Sequence, residues 1–168
     1  AGDGWIHEIK LDGYRVHCHL VEGKARFLTR RGADWSSHFS SLLEPPTRVP
    51  ARQAQLDGEV VYLPHDERTS FLRLTSSLQS GTDAEGRIVF FVFDLLHLDG
   101  YDLTGVPLSA RKQALRALLA GFALAARIRY VEHLEGRGEE FFRQACGLSL
   151  EGVISKRADA PYPVSYTH

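Results

Sequence analysis

Residues 14–20 alternate between apolar side chains and arginine or histidine. A period of two puts the apolar side chains on one face, which is typical of a half-buried β-strand. The segment Glu22-Gly23-Lys24 predicts a turn, followed by a second strand that ends near Thr29. The pattern therefore predicts two neighbouring strands early in the chain.

Two further strands are predicted near the middle of the chain. Over 56–63 the period of two places Asp57 and Glu59 on one face and apolar residues on the other. Over 87–96 the residues are apolar on both faces, as in a strand buried inside a domain, until Asp94 interrupts the run. The sequence thus predicts two carboxylates that point the same way from one strand.

Helical spacing of leucines marks a helix from Ser109, its predicted N-cap, to Leu119. Gly121 is the predicted stop of this helix. A shorter helix is predicted over 36–43, and the two prolines that follow at 45 and 46 are expected to end it. These helices have a scaffold role.

The remaining patterns complete the fold prediction. They indicate a strand over 127–131, a helix over 139–146 and a last strand over 151–155. Strands in hairpins mixed with dispersed helices predict a single α+β domain over residues 1–168, built on largely antiparallel sheets flanked by helices.

The composition fits a folded domain with a real core. The chain has 168 residues, of which 43% are hydrophobic and 24% charged, which is too apolar for a disordered protein. Two cysteines cannot build a disulfide framework, and the chain shows neither a signal-peptide pattern nor an apolar run of membrane length. A cytoplasmic protein with no membrane partner is the prediction.

The net charge of −1 gives no basic excess of the kind that proteins holding a nucleic-acid backbone usually carry. Basic residues cluster locally at three places, which are Arg26, Arg30 and Arg31, then Arg111 and Lys112, then Lys156 and Arg157. Such clusters suit phosphate contacts, but Arg111 and Lys112 are predicted to be solvated surface residues.

The candidate chemistry begins with Lys10, which stands two residues before the dipeptide Asp12-Gly13. Asp-Gly between two extended segments is a strong hairpin signal. The lysine is therefore predicted at a strand end beside a tight turn, with its side chain free to enter a pocket.

Taken singly, each motif also has an ordinary structural interpretation. A lysine before an Asp-Gly turn occurs in many surface hairpins, and Asp57-Gly58-Glu59 fits a bulged edge strand. Phe93 is ordinarily a core residue, and Glu151 a surface carboxylate that opens a strand. The order of all four motifs together changes the interpretation.

As a set, these motifs resemble the covalent nucleotidyltransferase superfamily, and most closely the adenylation domain of bacterial ATP-dependent DNA ligases of the ligase D type. The resemblance implies an α+β nucleotidyltransferase fold, related to ATP-grasp folds, and it runs over nearly the whole chain. The segments that carry it are Gly4 to Arg15, Thr29 to Trp35, Leu56 to Glu59, Phe93 to Gly100, Glu151 to Lys156 and Asp159 to Tyr162.

The resemblance implies that Lys10 is the nucleophile that attacks the α-phosphorus of ATP and forms a lysine-AMP phosphoamidate. A free lysine is almost entirely protonated near neutral pH, so its surroundings must favour the neutral amine. A divalent metal, Mg²⁺ or Mn²⁺, would neutralise phosphate charge, and such hard cations need oxygen ligands. By similarity, Glu59 and Glu151 are the metal-binding carboxylates.

The resemblance also assigns nucleotide contacts. Glu8 matches the position that contacts the adenine edge, and Phe93 is expected to stack on the adenine ring. Arg15 and Arg30 match arginines that touch the nucleotide or the nick phosphate. Glu59 is placed near the ribose as well as the metal. Lys156, which closes the motif opened by Glu151, is grouped with these residues, although its role stays open.

In ligases the AMP passes to the 5′-phosphate of a nick, and the 3′-hydroxyl then displaces it to seal the strand. The expected partners are nicked or broken duplex DNA in bacterial double-strand-break repair by non-homologous end joining, with Ku and polymerase or nuclease modules. The last six residues do not match the family's terminal lysine motif, and the chain is expected to lack the oligonucleotide-binding domain that normally follows. The sequence is expected to be a truncated adenylation domain.

Two alternatives stay open at this level. The chain fits a catalytically incomplete remnant that binds nucleotide or DNA without forming the covalent bond. Within the same chemistry, it also fits an RNA ligase or a GTP-using capping enzyme.

Overall fold

Two β-sheets carry most of the described chain, in a computed structural model that describes residues 4–64, 86–122, 126–147 and 152–163. The strands are β1 (Trp5–Ile9), β2 (Tyr14–Val21), β3 (Lys24–Thr29), β4 (Gln53–Pro64), β5 (Gly86–Leu98), β6 (Tyr101–Asp102), β7 (Ile128–Tyr130), β8 (His133–Glu135) and β9 (Val153–Arg157). The α-helices are α1 (Leu108–Leu119) and α2 (Gly138–Gly147). Neither helix is long and apolar enough to cross a bilayer.

The larger sheet has the order β3-β2-β4-β5-β6, and all of these neighbours are antiparallel. In the same sheet β7 pairs with β5 in parallel. The smaller sheet has the order β8-β1-β9 and is antiparallel throughout. This arrangement confirms the predicted α+β class with largely antiparallel sheets.

The hydrophobic core covers one face of the larger sheet. The predicted alternation in β2 is confirmed, because Val16, Cys18 and Leu20 are all buried. Leu115 and Leu118 of α1 belong to the same core cluster. Since one face of β2 and β4 enters the core, their polar residues are left to face the opposite side.

The prediction of a hairpin at Asp12-Gly13 was wrong. β1 belongs to the smaller sheet and β2 to the larger one, so the dipeptide connects two sheets instead of two paired strands. A Cβ atom at Gly13 would lie 2.1 Å from the carbonyl oxygen of Val60. Glycine is therefore needed because the connection passes directly against β4. Lys10 nevertheless lies at a strand end, directly after β1.

The predicted helix over 36–43 was also wrong. The structure has turns over 36–39, a short 3₁₀ helix Ser40–Leu42 and a second 3₁₀ helix Pro45–Arg48. Pro45 and Pro46 begin the second helix instead of ending a helix, because proline fits the first turn, where an N–H group has no helical acceptor.

Ser109 is not the N-cap of α1, which begins at Leu108. The N–H groups of Leu108 and Ser109 donate to the carbonyl oxygens of Ala160 and Ala158, each at 2.9 Å. The chain after β9 thus supplies main-chain acceptors to the start of the helix, so a side-chain cap is unnecessary.

Arg111 and Lys112 are buried, with exposures of 2% and 1%, so their prediction as solvated residues was wrong. They lie four and three positions before Leu115, on the stripe that α1 turns inward. Each faces a buried carboxylate from a strand, Asp94 for Arg111 and Glu8 for Lys112. These carboxylates are distant in the sequence but adjacent in the fold, and they offset the free-energy cost of burying two cations.

Candidate functional site

Side chains from both sheets meet around the ring of Phe93. The Nζ atom of Lys156, on β9, lies 4.5 Å from the ring centroid. The guanidinium carbon of Arg15, on β2, lies 5.4 Å from the same centroid. Both residues line a cavity of about 340 Å³ together with Phe93, Asp57, Tyr162 and seven other residues. The cavity offers an aromatic face flanked by two cations.

A β-bulge places Phe93 at this position. In the ladder between β4 and β5, Asp57 pairs with Asp94 while Gly58 pairs with Val92, so Phe93 is an extra residue without a partner on β4. Bulges of this kind redirect a side chain and recur next to active sites. A Cβ at Gly58 would lie 2.3 Å from the Phe91 carbonyl oxygen, which explains the glycine between Asp57 and Glu59.

Asp57 is the buried centre of a polar cluster. Its carboxylate accepts hydrogen bonds from Arg15 Nη2 at 2.7 Å and Nε at 3.2 Å, and from the Tyr162 hydroxyl at 2.7 Å. His17 Nε2 lies 3.4 Å from the same carboxylate. Burial alone would raise the pKa of Asp57, but the hydrogen bonds from His17 and Arg15 outweigh it and hold the pKa at about 2. The cluster therefore fixes Arg15 with a charged carboxylate at neutral pH.

Tyr162 joins the chain after β9 to this cluster. Its main-chain N–H donates to the Thr104 carbonyl oxygen at 2.8 Å, which anchors the residue on the loop before α1. Burial and the neighbouring Asp57 charge raise the pKa of Tyr162 to about 12, so the hydroxyl stays protonated and donates.

Removing this hydroxyl with Tyr162→Phe is expected to lower the free energy of unfolding by about 1–2 kcal/mol, because a buried carboxylate loses one of its donors. Urea unfolding measures the change. The matched control is Tyr101→Phe, at a tyrosine that is 73% exposed, with an expected change below about 0.5 kcal/mol. Equal effects of the two substitutions would contradict the role assigned to the Tyr162 hydroxyl.

Glu59 lies beside this cluster and pairs with Arg15 across the β2–β4 ladder. Asp57 faces His17 in the same ladder, so both carboxylates lie on one face, as predicted. Burial raises the pKa of Glu59 to about 7. The Gly13 N–H and Arg15 act in the opposite direction, while the negative charges of Asp57 and Asp12 add to the rise. The effect of burial on Glu59 therefore outweighs the favourable contacts with Gly13 and Arg15.

The raised pKa makes the stability contribution of Glu59 depend on pH. Because the folded value of about 7 exceeds the ordinary 4.5, wild type loses stability relative to Glu59→Gln as the pH rises from about 4.5 to about 7. We expect the Gln variant to be more stable by about 1–2 kcal/mol at pH 8 and equal to wild type at pH 4. Denaturant unfolding in the presence of a chelator measures this difference.

Glu44→Gln is the control for Glu59→Gln, since the Glu44 side chain is exposed and pairs with Arg48. It should show no such dependence on pH. A Glu59→Gln variant that is less stable than wild type at pH 8 would contradict the prediction.

Glu8 is buried in β1, and both of its carboxylate oxygens are engaged. Oε1 accepts a hydrogen bond from Lys112, and Oε2 accepts one from Lys156 at 2.6 Å. Lys156 therefore contacts Glu8 and the Phe93 ring at once. The structure brings these three predicted residues together with Arg15.

The other predicted residues lie around this group. Lys10 follows Glu8 by two positions, and its main-chain N–H donates to the Gly152 carbonyl oxygen at 2.9 Å. Glu151 lies outside the described residues. Arg30 is exposed in the turn after β3 and is not among the described residues that line the cavity around Phe93. Among the described ranges, no three acidic, histidine or cysteine side chains come together as metal ligands.

Sequence reasoning assigned no role to four residues that the structure places at this site. His17 follows Arg15 by two positions, and Lys112 lies on the inward stripe of α1, so periodicity carried a signal for both. Ile154 pairs with Glu8 in the β1–β9 ladder and is 40% exposed on that face. Tyr162 had no local signal, because only tertiary contacts bring it to Asp57.

Comparison with known proteins places this chain in a family. A family profile described as ATP dependent DNA ligase domain matches residues 1–166. The multifunctional non-homologous end joining protein LigD of Pseudomonas aeruginosa is 35% identical over 158 residues, covering 94% of this chain and 18% of that protein. The corresponding LigD protein of Mycobacterium tuberculosis H37Rv is 34% identical over 158 residues, covering 94% of this chain and 20% of that protein.

A solved structure shows the same fold. Mycobacterial DNA ligase D complexed with ATP and MES has a TM-score of 0.79 and 32% identity, covering 95% of this chain and 50% of that one. The chain thus spans about a fifth of the length of these LigD relatives. The profile match, the relatives and the shared fold confirm the resemblance drawn from the motifs, and the chain belongs to the ATP-dependent DNA ligase domain family, with the ligase D type among its relatives.

Proposed function

We propose that this chain is the adenylation core of an ATP-dependent DNA ligase. The neutral amine of Lys10 attacks the α-phosphorus of ATP. The Nζ–P bond forms as the bond from that phosphorus to the pyrophosphate oxygen breaks, and the amine loses a proton. The observation that carries the proposal is the position of Lys10, which directly follows β1. Two residues before it, the Glu8 carboxylate binds Lys156, whose ammonium lies on the Phe93 ring.

The geometry supports distinct roles in nucleotide binding. Phe93 offers a ring face for stacking with the base, and Glu8 offers to the base edge its Oε2 oxygen, which Lys156 holds in the ligand-free site. Arg15 is held by Asp57 with its guanidinium near Phe93, and we assign it to the ribose or phosphates. We assign Arg30 to the nucleotide or to the phosphate of a nick. Lys156 is the cation that the incoming nucleotide meets above the Phe93 ring.

Glu59 fits one ligand of a divalent cation. Burial raises its pKa to about 7, so a nearby cation would favour the ionised form, and carboxylate oxygens suit Mg²⁺ or Mn²⁺. Glu151 is the second proposed ligand. When bound, the metal supplies charge neutralisation for the phosphates and pyrophosphate. We expect Mg²⁺ to stabilise wild type against unfolding more than Glu59→Gln.

The later steps rest on the relatives. Proteins named for non-homologous end joining are similar to this chain over 94% of its length. We propose that the AMP passes from Lys10 to the 5′-phosphate at a nick in duplex DNA, and that the 3′-hydroxyl then displaces it. Ku and polymerase or nuclease modules are the proposed partners, and the bacterial cytoplasm is the proposed location.

The experiment is a nucleotide panel with label on the α-phosphate of ATP or GTP, and on the adenylate phosphate of NAD. The chain is incubated with each nucleotide plus Mg²⁺ or Mn²⁺, denatured, and tested for label that is acid-labile and base-stable. Label from ATP alone is the expected result.

Other outcomes of the panel replace the proposal. Label from GTP would indicate a capping-type enzyme. Tight ATP binding without pyrophosphate release would indicate a nucleotide-binding remnant. Label from ATP followed by sealing of nicked RNA, but not nicked DNA, would indicate an RNA ligase.

A further inference from the structure

Lys112 is a buried cation, and every N–H donor of its ammonium group has a hydrogen-bond acceptor. Its ammonium donates to Glu8 Oε1, to the Val131 carbonyl oxygen at 3.1 Å and to the Phe93 carbonyl oxygen at 3.4 Å. An ammonium has three N–H donors, so each one has an acceptor. The same group lies 4.6 Å from the centroid of the Tyr130 ring. Lys112 therefore joins the Glu8 carboxylate to the backbone of Phe93.

Folding alone does not account for a lysine at this position. Lys112 lies on the apolar stripe of α1 between Leu108 and Leu115. Burying a charged pair is often no better for stability than burying apolar residues of similar volume. The consequence specific to a lysine is a fixed distance and orientation between Glu8 and Phe93.

The two lysines on Glu8 differ in how firmly they are held. Lys112 is 1% exposed and has three acceptors, whereas the Lys156 side chain is 27% exposed. Lys156 occupies the face of the Phe93 ring. A base that stacked on Phe93 would take the place of that ammonium and release Oε2 of Glu8, while Oε1 would stay bound to Lys112.

We propose that Lys112 is a positioning residue for base selection. Lys112 holds Oε1 of Glu8, so that Oε2 accepts a hydrogen bond from the 6-amino group of an adenine stacked on Phe93. This inference rests on the proposed nucleotide site, but it does not depend on transfer of AMP to Lys10. It assigns to α1 a part in discriminating between nucleotides.

The test compares the dissociation constants of ATP and purine riboside triphosphate, which lacks the 6-amino group. Titration calorimetry gives both constants for wild type and for Lys112→Met, which keeps the length and apolar character of the stem. Wild type is expected to prefer ATP by about tenfold or more, since the hydrogen bond involves a charged acceptor. In Lys112→Met this preference should fall to less than about threefold.

Arg116→Met is the matched control. Arg116 is one turn further along α1, near the same Tyr130 ring, and pairs with the exposed Glu132. Its loss should leave the ATP preference at the wild-type value. Glu8→Gln should reduce the preference, and adding Lys112→Met to it should reduce the preference little further, because the two residues act as one unit.

The possible results separate a positioning role from a structural one. If Lys112→Met weakens the binding of both nucleotides by the same factor, or if wild type shows no preference for ATP, the inference is overturned. If the preference falls as expected but Lys10 takes no label from ATP, the inference stands and the proposed transfer fails. If Lys112→Met does not fold, Lys112→Arg replaces it. That variant keeps the charge but aims its donors differently, so an unchanged preference there would also overturn the inference.

Discussion

Changing Lys10 to alanine is expected to reduce covalent labelling from ATP by at least about a thousandfold, because the side chain that forms the bond to phosphorus is gone. The main chain at this position is held by a hydrogen bond from the Lys10 N–H to the Gly152 carbonyl oxygen. That bond does not involve the side chain, so the variant should fold and should still bind ATP. Labelling with α-labelled ATP and calorimetric ATP binding measure the two properties separately.

Two further variants sharpen this prediction. Lys10→Arg keeps a positive charge but has no neutral amine near physiological pH, so it should be as inactive as Lys10→Ala. Lys24→Ala removes an exposed lysine at the start of β3 and should label like wild type. Label that persists in Lys10→Ala would place the nucleophile elsewhere and refute the assignment.

The second large effect is expected from Arg111→Met, which should lower the free energy of unfolding by about 3–5 kcal/mol. Arg111 donates to both carboxylate oxygens of Asp94, from Nε at 2.8 Å and from Nη2 at 2.9 Å. It also donates from Nη1 to the carbonyl oxygens of Val106 and Ala160. Removing it leaves a buried carboxylate without its cation and two carbonyl groups without this donor.

Urea unfolding measures this effect, with Arg48→Met as the control. Arg48 also pairs with a carboxylate, at 2.6 Å from Glu44, but the side chains are 71% and 63% exposed. Exposed pairs contribute less than about 1 kcal/mol. The double variant Arg111→Met/Asp94→Leu should be more stable than Arg111→Met alone, since it removes the unpaired charge as well. Equal losses from Arg111→Met and Arg48→Met would refute the structural role of the buried pair.

Arg111 also matters for the site, because Asp94 follows Phe93 directly in β5. The bulge that turns Phe93 toward the cavity ends at the pair Asp57–Asp94. Holding Asp94 to α1 therefore holds one end of the bulge. The folded fraction of Arg111→Met should also bind ATP more weakly than wild type does.

Part of the candidate site was predictable because it follows from the period of a β-strand. Alternation in β2 and β4 puts Asp57 and Glu59 on one face, and the same rule puts Arg15 and His17 opposite them. The buried run that ends in Phe93 and Asp94 predicted a central strand. The α+β class follows from the same local patterns.

Other features depended on contacts between distant segments, which periodicity does not describe. Nothing local shows that Asp12-Gly13 connects two different sheets, because the same dipeptide would serve a hairpin. The sequence around Ser109 resembles a capped helix start, yet the acceptors come from the chain after β9.

The charged residues show the division most clearly. The sequence by itself determined which residue types were available, where β2, β4, β5 and the main helix lie, and which face of β2 and of β4 is polar. Only the tertiary structure decided that Arg111 and Lys112 are buried on carboxylates, that Tyr162 reaches Asp57, and that Glu59 has a raised pKa. The physical reason is that backbone period is a local property, whereas the cost of burying a charge depends on partners that the fold brings from elsewhere in the chain.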